Sequence, residues 1–472
     1  MSPISIREVM TDPHLFGGMF GGDTWAAWRA LIFAFYGLKL NHDERRILTT
    51  ITGRAETPQE AMAELWLVVG RRGGKSQIAA LLAVYHAAFC YYTDRLSPGE
   101  VATVMILAAD RKQARAIFRY VIGLLHSNPM LEALIIREDK ESIELNNRTV
   151  IEIGTASFRA TRGYTYGAIL ADEIAFWRSE DSANPDYEII AALRPGLATL
   201  DGVLIALSSP HAKSGELWEH HKKYHGTDDP HILVAQADSM TMNPKLPARV
   251  VAAAMERDPA AAAAEYGALF RSDLETFVSR EAVDAVVQPG RYELGYLSKW
   301  RYRAFCDPSG GSGTDSFTLC IAHDEHRQGQ TVTVVDAVRE VRPPFSPDAV
   351  ITEFATLLKN YRLASVTGDR YAGEYPRELF RKQGIRYEVA TLTASELYRD
   401  LLPLINSDAV ELLDHPRVIN QLCALERRVG PSGKDAIVAQ RGNDGHGDAA
   451  NSVAGAIVSG RSAGYYNYAD LL

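Results

Sequence analysis

Short apolar runs alternate with longer helical patterns in the first half of the chain. Such an alternation predicts a parallel β-sheet covered by helices, that is, an α/β domain. The predicted strands are Leu65–Val69, Thr103–Ala108, Val150–Ile153, Ala168–Ala171 and Val203–Leu207. The predicted helices are Ser76–Tyr92, Arg111–His126 and Ala248–Phe270, the last of them interrupted near Asp258 and Pro259.

The pattern changes in the second half, where strand-like runs follow one another before a helix appears. This order predicts a mixed α/β sheet in a separate domain. The predicted elements are strands Tyr302–Cys306, Ser316–His323, Thr331–Val338 and Ala364–Thr367, and helix Ala349–Tyr361. We therefore expect a first domain with an N-terminal lead-in at 1–271, a linker at 272–299, a second domain at 300–460 and a tail at 461–472.

The 472 residues are too many for one compact core and favour about two to three domains. The longest apolar run, Ile78–Tyr92, is too short to span a bilayer, and no signal-peptide order is present at the N-terminus. Four scattered cysteines indicate neither disulfides nor zinc. We expect a cytosolic protein without a membrane segment. A net charge of −9 neither indicates nor excludes nucleic-acid binding.

A glycine-rich loop follows the first predicted strand and precedes a predicted helix. Its residues are Gly70, Arg71, Arg72, Gly73, Gly74, Lys75 and Ser76. A phosphate cradle needs this order, because backbone N–H groups and a helix N-terminus then face the anion. Lys75 would contact the β- and γ-phosphates of ATP, and Ser76 would hold Mg²⁺. The common pattern Gly-x-x-x-x-Gly-Lys-Ser/Thr would place glycine at Val69, so this loop is one residue shorter. The alternative interpretation is a plain glycine turn beside a surface lysine.

Two carboxylates end the apolar run Ile169–Ala171. Asp172 would order the Mg²⁺ shell and Glu173 would polarise the attacking water, although a strand that simply meets solvent can also end in two acids. Ser208 and Ser209 end the next strand and could sense the γ-phosphate, or form an ordinary turn before a proline. Arg162 could stabilise charge on a transferring phosphoryl group, and Arg71 and Arg72 compete for that role.

Three aspartates in the second half follow strands or begin a helix. Asp307 ends the strand Tyr302–Cys306, Asp369 follows Ala364–Thr367, and Asp448 opens a helix of small residues. Carboxylates that converge from separate elements can hold two Mg²⁺ or Mn²⁺ ions for phosphodiester cleavage. Taken singly, each is an ordinary turn or capping residue. Asp315, Asp444 and His446 could serve as outer or alternative ligands.

These motifs together resemble the large terminase subunits of tailed double-stranded DNA bacteriophages. The loop at 70–76 resembles their shortened P-loop, and Arg162-Gly163 with Ile169–Glu173 resembles their arginine element and acidic strand. Ser208-Ser209-Pro210 is similar to their coupling motif, and Glu265-Tyr266-Gly267 resembles the end of their ATPase domain. Asp307, Asp369 and Asp448 follow the order of their ribonuclease-H-like nuclease acids.

The resemblance implies a P-loop ATPase followed by a ribonuclease-H-like nuclease. ATP hydrolysis would drive double-stranded DNA into a procapsid through the portal protein, and the nuclease would cut concatemeric DNA. It also implies a small terminase subunit as a partner, a ring that commonly has five subunits, Arg162 acting in trans, and work in the host cytoplasm at the procapsid portal.

This chain departs from the family pattern in its last acidic motif. Gly447 stands where an aspartate usually precedes Asp448, and Asn451 stands where a later aspartate is expected. No adenine-binding glutamine motif precedes the P-loop; Trp25, Trp28, Tyr36 and Arg54 occupy that stretch, where core packing is the expected role of the aromatic residues. Two alternatives remain: a P-loop helicase or translocase with a non-catalytic second domain, and a capsid- or portal-docking protein with a decayed ATPase.

Overall fold

The structure is a computed structural model of the chain. It describes residues 4–156, 163–177, 185–271, 274–313, 315–327, 329–369, 374–429, 435–439 and 447–460. The chain divides into two compact units at residues 272 and 273. No helix in these ranges is both long and apolar enough to cross a membrane.

The first unit contains twelve described α-helices and an eight-stranded sheet. Its helices are α1 (Ile6–Thr11), α2 (Gly17–Phe20), α3 (Ala26–Phe35), α4 (His42–Thr52), α5 (Lys75–Ala88), α6 (Arg111–His126), α7 (Pro129–Glu132), α8 (Pro185–Leu193), α9 (Gly215–Tyr224), α10 (Ser239–Met242), α11 (Ala248–Arg257) and α12 (Pro259–Glu265). Its strands are β1 (Glu64–Val69), β2 (Ala102–Ala108), β3 (Ile135–Glu138), β4 (Ser142–Leu145), β5 (Thr149–Thr155), β6 (Thr165–Asp172), β7 (Val203–Ser208) and β8 (Ile232–Ala237).

The strand order of the first sheet is β3-β4-β5-β2-β6-β7-β1-β8. From β5 to β8 all neighbours are parallel, and β3 and β4 add an antiparallel edge. Alternate residues of the central strands enter two apolar cores, one on each face of the sheet. Strand β7 lies between β1, which leads into the glycine loop, and β6, which ends in Asp172.

The second unit contains helices α13 (Arg280–Val286), α14 (Pro347–Asn360), α15 (Glu374–Lys382), α16 (Ala394–Asn406), α17 (Pro416–Cys423) and α18 (Asp448–Val458). Its strands are β9 (Leu274–Thr276), β10 (Val287–Gln288), β11 (Tyr302–Asp307), β12 (Phe317–Arg327), β13 (Gln330–Val341), β14 (Ser365–Gly368), β15 (Arg386–Val389), β16 (Val410–Leu413), β17 (Leu425–Val429) and β18 (Asp435–Ala439). They form a seven-stranded sheet, β10-β16-β13-β12-β11-β14-β15, and a three-stranded sheet, β18-β17-β9.

The seven-stranded sheet is mixed. Strands β11, β12 and β13 are antiparallel, whereas β14 and β15 run parallel to β11. Apolar cores lie on both faces, one of them formed largely by α16 and the fully buried α18. Within the stretch expected as a linker, α13 packs into that core and β10 pairs with β16.

The α/β class expected for both halves is confirmed by these sheets. The predicted helix Ala248–Phe270 is interrupted at Asp258 and Pro259 as expected, but its second part ends at Glu265 rather than at Phe270. The break occurs because the Asp258 carboxylate caps a new helix by accepting from the Ala261 N–H (3.0 Å), with Pro259 in its first turn.

A buried polar chain joins α5 to α3 and β6. The Tyr36 hydroxyl lies 2.7 Å from His86 Nε2, and the Tyr92 hydroxyl lies 2.8 Å from Nδ1. Because Tyr92 donates its own proton to the Gly167 carbonyl (3.3 Å), Nδ1 is the donor of the imidazole and Nε2 accepts from Tyr36. Burial lowers the pKa of His86 from 6.5 to about 3, so the ring is neutral in the folded protein.

We expect His86→Gln to reduce the loss of stability in acid. Between pH 6.5 and 3 the unfolded chain binds a proton at His86 that the folded chain does not bind. The free energy of unfolding is therefore highest above pH 6.5 and declines as the pH falls, by up to about 1.4 kcal/mol per pH unit. Glutamine can donate and accept but does not titrate. Urea unfolding from pH 7.5 to 4.5 measures the effect, and parallel curves for the two proteins would contradict it.

Candidate active sites

The glycine loop lies at the carboxyl end of β1 and leads directly into α5. Gly74 caps the helix with a φ of 98°, which favours glycine. A Cβ at Gly70 would lie 2.3 Å from Ser239 Oγ and 2.6 Å from the Tyr266 carbonyl oxygen, so only glycine fits there. The loop therefore has the strand–loop–helix form that the sequence predicts for a phosphate cradle.

The loop is fixed by the segments that follow β8 and α12. Ser239 Oγ donates to the Arg71 carbonyl (2.6 Å), and Asn243 Nδ2 donates to the Arg72 carbonyl (2.9 Å). Arg71 also donates its N–H to the Glu265 carbonyl and forms an ion pair with the Glu265 side chain (3.2 Å). Arg72 has a φ of 66°, which is uncommon for a residue with a Cβ and is held here by these contacts.

Lys75 points back across the mouth of the loop. Its Nζ donates to the Val69 carbonyl (2.9 Å) and to Ser209 Oγ (2.8 Å), and it lies 3.5 Å from Glu173 Oε1. The lysine side chain is only 7% exposed. Ser76 is half-buried in the first turn of α5, next to Lys75.

Glu173 follows β6 in the left-handed region, with a φ of 49°. Its Oε2 accepts hydrogen bonds from Ser208 Oγ (2.9 Å) and from the Ser209 N–H (3.0 Å). The two serines expected to sense a phosphate therefore contact Glu173 and Lys75 in this structure. A glutamate held in this way can orient and deprotonate a water molecule.

Asp172 is buried beside Glu173 at the end of β6, with 6% of the residue exposed. Burial and the neighbouring Glu173 carboxylate raise the pKa of Asp172 to about 7, against the opposing effect of Lys75. An added cation would relieve this cost, so the residues fit an Mg²⁺-bound nucleotide. Arg162, the expected arginine finger, lies outside the described residues.

The second unit brings Asp307, Asp369 and Asp448 towards one another. Asp307 ends β11 and Asp369 directly follows β14, and these two parallel strands pair through Cys306 and Gly368. Asp448 begins α18 and is 6% exposed. Its Oδ2 accepts from the Ser316 N–H (2.6 Å), while its carbonyl accepts from Thr318 Oγ1 (2.8 Å).

The other aspartates affect the ionisation of Asp307. Burial raises the pKa of Asp307 to about 8; the Asn451 hydrogen bond opposes this, and the carboxylates of Asp448, Asp369 and Asp315 add to it. Mg²⁺ and Mn²⁺ prefer hard oxygen ligands such as carboxylates, and a cation would offset the repulsion between these negative charges. Among the described residues, however, no three His, Cys, Asp or Glu side chains are already arranged to hold a metal ion. Asp444 and His446 lie outside those residues.

Solved structures are similar to this chain, whereas family models and curated proteins do not match it. The chain is similar to bacteriophage large terminases. The HK97 large terminase is 16% identical, with 91% of this chain and 99% of that chain covered and a TM-score of 0.38. The large terminase of a thermophilic bacteriophage is 13% identical, with 92% of this chain and 99% of that chain covered and a TM-score of 0.37.

A nuclease-domain structure is also similar to part of the chain. The large terminase nuclease from thermophilic phage G20c is 16% identical to this chain. The match covers 37% of this chain and 94% of the nuclease chain, with a TM-score of 0.31. At these identities and TM-scores the likeness assigns neither an activity nor a role to any residue. Any role of a residue in this chain therefore has to be argued from its own contacts.

The residues upstream of the loop have a role that sequence reasoning missed. Trp28 packs in the core as expected, but its Nε1 also donates to the Gly73 carbonyl (2.8 Å). A Cβ at Gly74 would lie 3.2 Å from the Trp25 ring, so both tryptophans contact the loop. Arg54, by contrast, is buried and donates to the Thr227 and Asp229 carbonyls. The tryptophan-rich lead-in thus supports the glycine loop.

We expect Trp28→Phe to destabilise the first unit by about 1–3 kcal/mol, because the buried Gly73 carbonyl then lacks its donor. Urea unfolding measures the loss. Trp218→Phe is the matched control, because the half-buried Trp218 indole packs against His221 and Phe270 and donates no hydrogen bond to any described residue. Equal effects of the two substitutions would show that ring size, not the hydrogen bond, matters at Trp28.

Proposed function

We propose that the chain is a DNA-packaging terminase large subunit. ATP hydrolysis in the first unit drives double-stranded DNA into a procapsid, and the second unit cuts concatemeric DNA. The observation that carries the proposal is that one chain combines a glycine loop facing a fixed glutamate with a separate set of converging aspartates. A helicase with a non-catalytic second half does not account for Asp307, whose pKa is raised by burial and by the carboxylates of Asp448, Asp369 and Asp315.

The nucleotide chemistry follows from the contacts in the first unit. The loop N–H groups and Lys75 would bind the β- and γ-phosphates, and Ser76 and Asp172 would hold the Mg²⁺ that accompanies ATP. Ser208 and Ser209 hold the Glu173 carboxylate, which orients a water molecule and accepts its proton. Lys75 contacts both Ser209 and Glu173, so phosphate binding by Lys75 alters the surroundings of the catalytic base.

The nuclease chemistry rests on Asp307, Asp369 and Asp448. These carboxylates would hold one or two Mg²⁺ or Mn²⁺ ions. Such ions activate a water and neutralise the charge that develops on the leaving oxygen of a phosphodiester. The Ser316 N–H orients Asp448, and the Asn451 amide orients Asp307, so the acids are held from two sides.

Assembly and partners belong to the same proposal. The motif resemblance favours a homo-oligomeric ring, commonly of five subunits, on the portal protein of a procapsid, with a small terminase subunit and double-stranded DNA as further partners. Arg162 would complete the ATP site of a neighbouring subunit. The work would take place in the host cytoplasm.

We expect Glu173→Gln to lower ATP turnover by at least about 100-fold while leaving Mn²⁺-dependent DNA cleavage intact, because the amide cannot accept the proton of water. Steady-state phosphate release and a plasmid-cleavage assay measure the two activities. Glu188→Gln, at an exposed position on α8, is the control and should retain both. Full ATP turnover in Glu173→Gln would contradict the assignment of the base.

We expect Asp307→Asn and Asp448→Asn each to lower DNA cleavage by more than about 100-fold, since even outer partners of metal ligands cost about 10–100-fold when lost. ATP turnover should remain, because both residues belong to the second unit. Asp400→Asn, exposed on α16, removes the same charge as a control. Undiminished cleavage in either variant would place the nuclease activity outside this chain.

A further inference from the structure

The Asn451 side chain lies against Asp307, one of the three aspartates of the second unit. It is on α18, three residues after Asp448, and is 6% exposed. Residues at i and i+3 lie on the same face of a helix, so both side chains face the same side of α18. Asn451 Nδ2 donates to Asp307 Oδ2 at 2.7 Å.

The position of Asn451 is fixed by the close packing of α18 on β11. One turn further along the helix, a Cβ at Gly455 would lie 2.3 Å from the Phe305 ring, so only glycine permits this approach. Phe305 and Asp307 are two residues apart on β11 and therefore project from the same face of the strand. Two successive turns of α18 therefore pack on the same face of β11, with Asn451 against Asp307 and Gly455 against Phe305.

Two oxygens beside these acids are buried and have no hydrogen-bond partner among the residues that the structure describes. They are Asn451 Oδ1 and Ser316 Oγ. Each belongs to a residue that already donates to a carboxylate, Asn451 to Asp307 and Ser316 to Asp448. Lone pairs buried without a donor are unfavourable, and their location among carboxylates points to a cationic ligand rather than to another acceptor.

We propose that Asn451 is a neutral ligand of the divalent-cation site, which binds the cation through Oδ1 while Nδ2 holds Asp307. This inference rests on the proposed nuclease function. An amide carbonyl is an ordinary ligand for hard cations. An amide ligand is uncharged, so the site carries one negative charge fewer than it would with a carboxylate at this position. This lowers repulsion without the cation and weakens the binding of Mg²⁺ or Mn²⁺.

The competing explanation is that Asn451 only positions Asp307. Asn451→Asp separates the two, because a carboxylate can bind a cation but cannot donate to Asp307. A ligand role predicts that Asn451→Ala raises the Kd for Mn²⁺ about tenfold and that Asn451→Asp lowers it about tenfold. A positioning role predicts weaker binding in both variants.

Titration calorimetry of the full chain with MnCl₂ at pH 8, without nucleotide, measures these affinities. Thermal unfolding adds a second readout: Asn451→Asp should melt below the wild type without cation and gain more from Mn²⁺. Asn406→Asp, exposed at the end of α16, adds the same charge to the same unit and should change neither quantity.

Asp307→Asn distinguishes failure of the inference from failure of the proposed function. If Asp307→Asn weakens Mn²⁺ binding but both Asn451 variants bind like the wild type, or both bind more weakly, Asn451 is not a ligand and the nuclease site stands. If the wild type binds no Mn²⁺, or Asp307→Asn binds as tightly as the wild type, the carboxylate site itself is wrong.

Discussion

The Glu173 carboxylate lies between the serines that end β7 and the lysine of the glycine loop, and the first unit is arranged around that contact. It requires β7 to lie between β6 and β1, so that Ser208 and Ser209 are adjacent to both the acid and the loop. It also requires Lys75 to be buried, because a solvated lysine would not remain near the glutamate. The sheet order thus determines which side chains can act together on a phosphate.

Both units place their acids at the ends of buried strands, and burial has a similar effect in each. The pKa values of Asp172 and Asp307 are raised because burial disfavours their charged forms and because other carboxylates lie close to them. Removing a carboxylate from water disfavours its charged form unless a cation offsets the charge. The same physical reasoning therefore supports cation binding in two unrelated sheets.

The central strands were predictable because parallel strands buried on both faces are apolar runs, and β1, β2, β6 and β7 all lie near their predicted bounds. The acids that follow strands were equally visible. The N-terminal helices and β8 were not predicted, because their roles depend on packing between distant segments. Trp28 and Gly73, for example, are 45 residues apart. Asn451 could be recognised as a departure, but its contact with Asp307, 144 residues away, exists only in the folded chain.

The contact between the lead-in and the loop has a practical consequence. An indole whose N–H is bonded to the Gly73 carbonyl has an emission that depends on that bond and on the position of the loop. Trp25 lies against Gly74, so two of the six tryptophans of the chain are at the glycine loop. The protein thus carries its own fluorophores where nucleotides would bind, and loop movement could be followed in time without attaching a label.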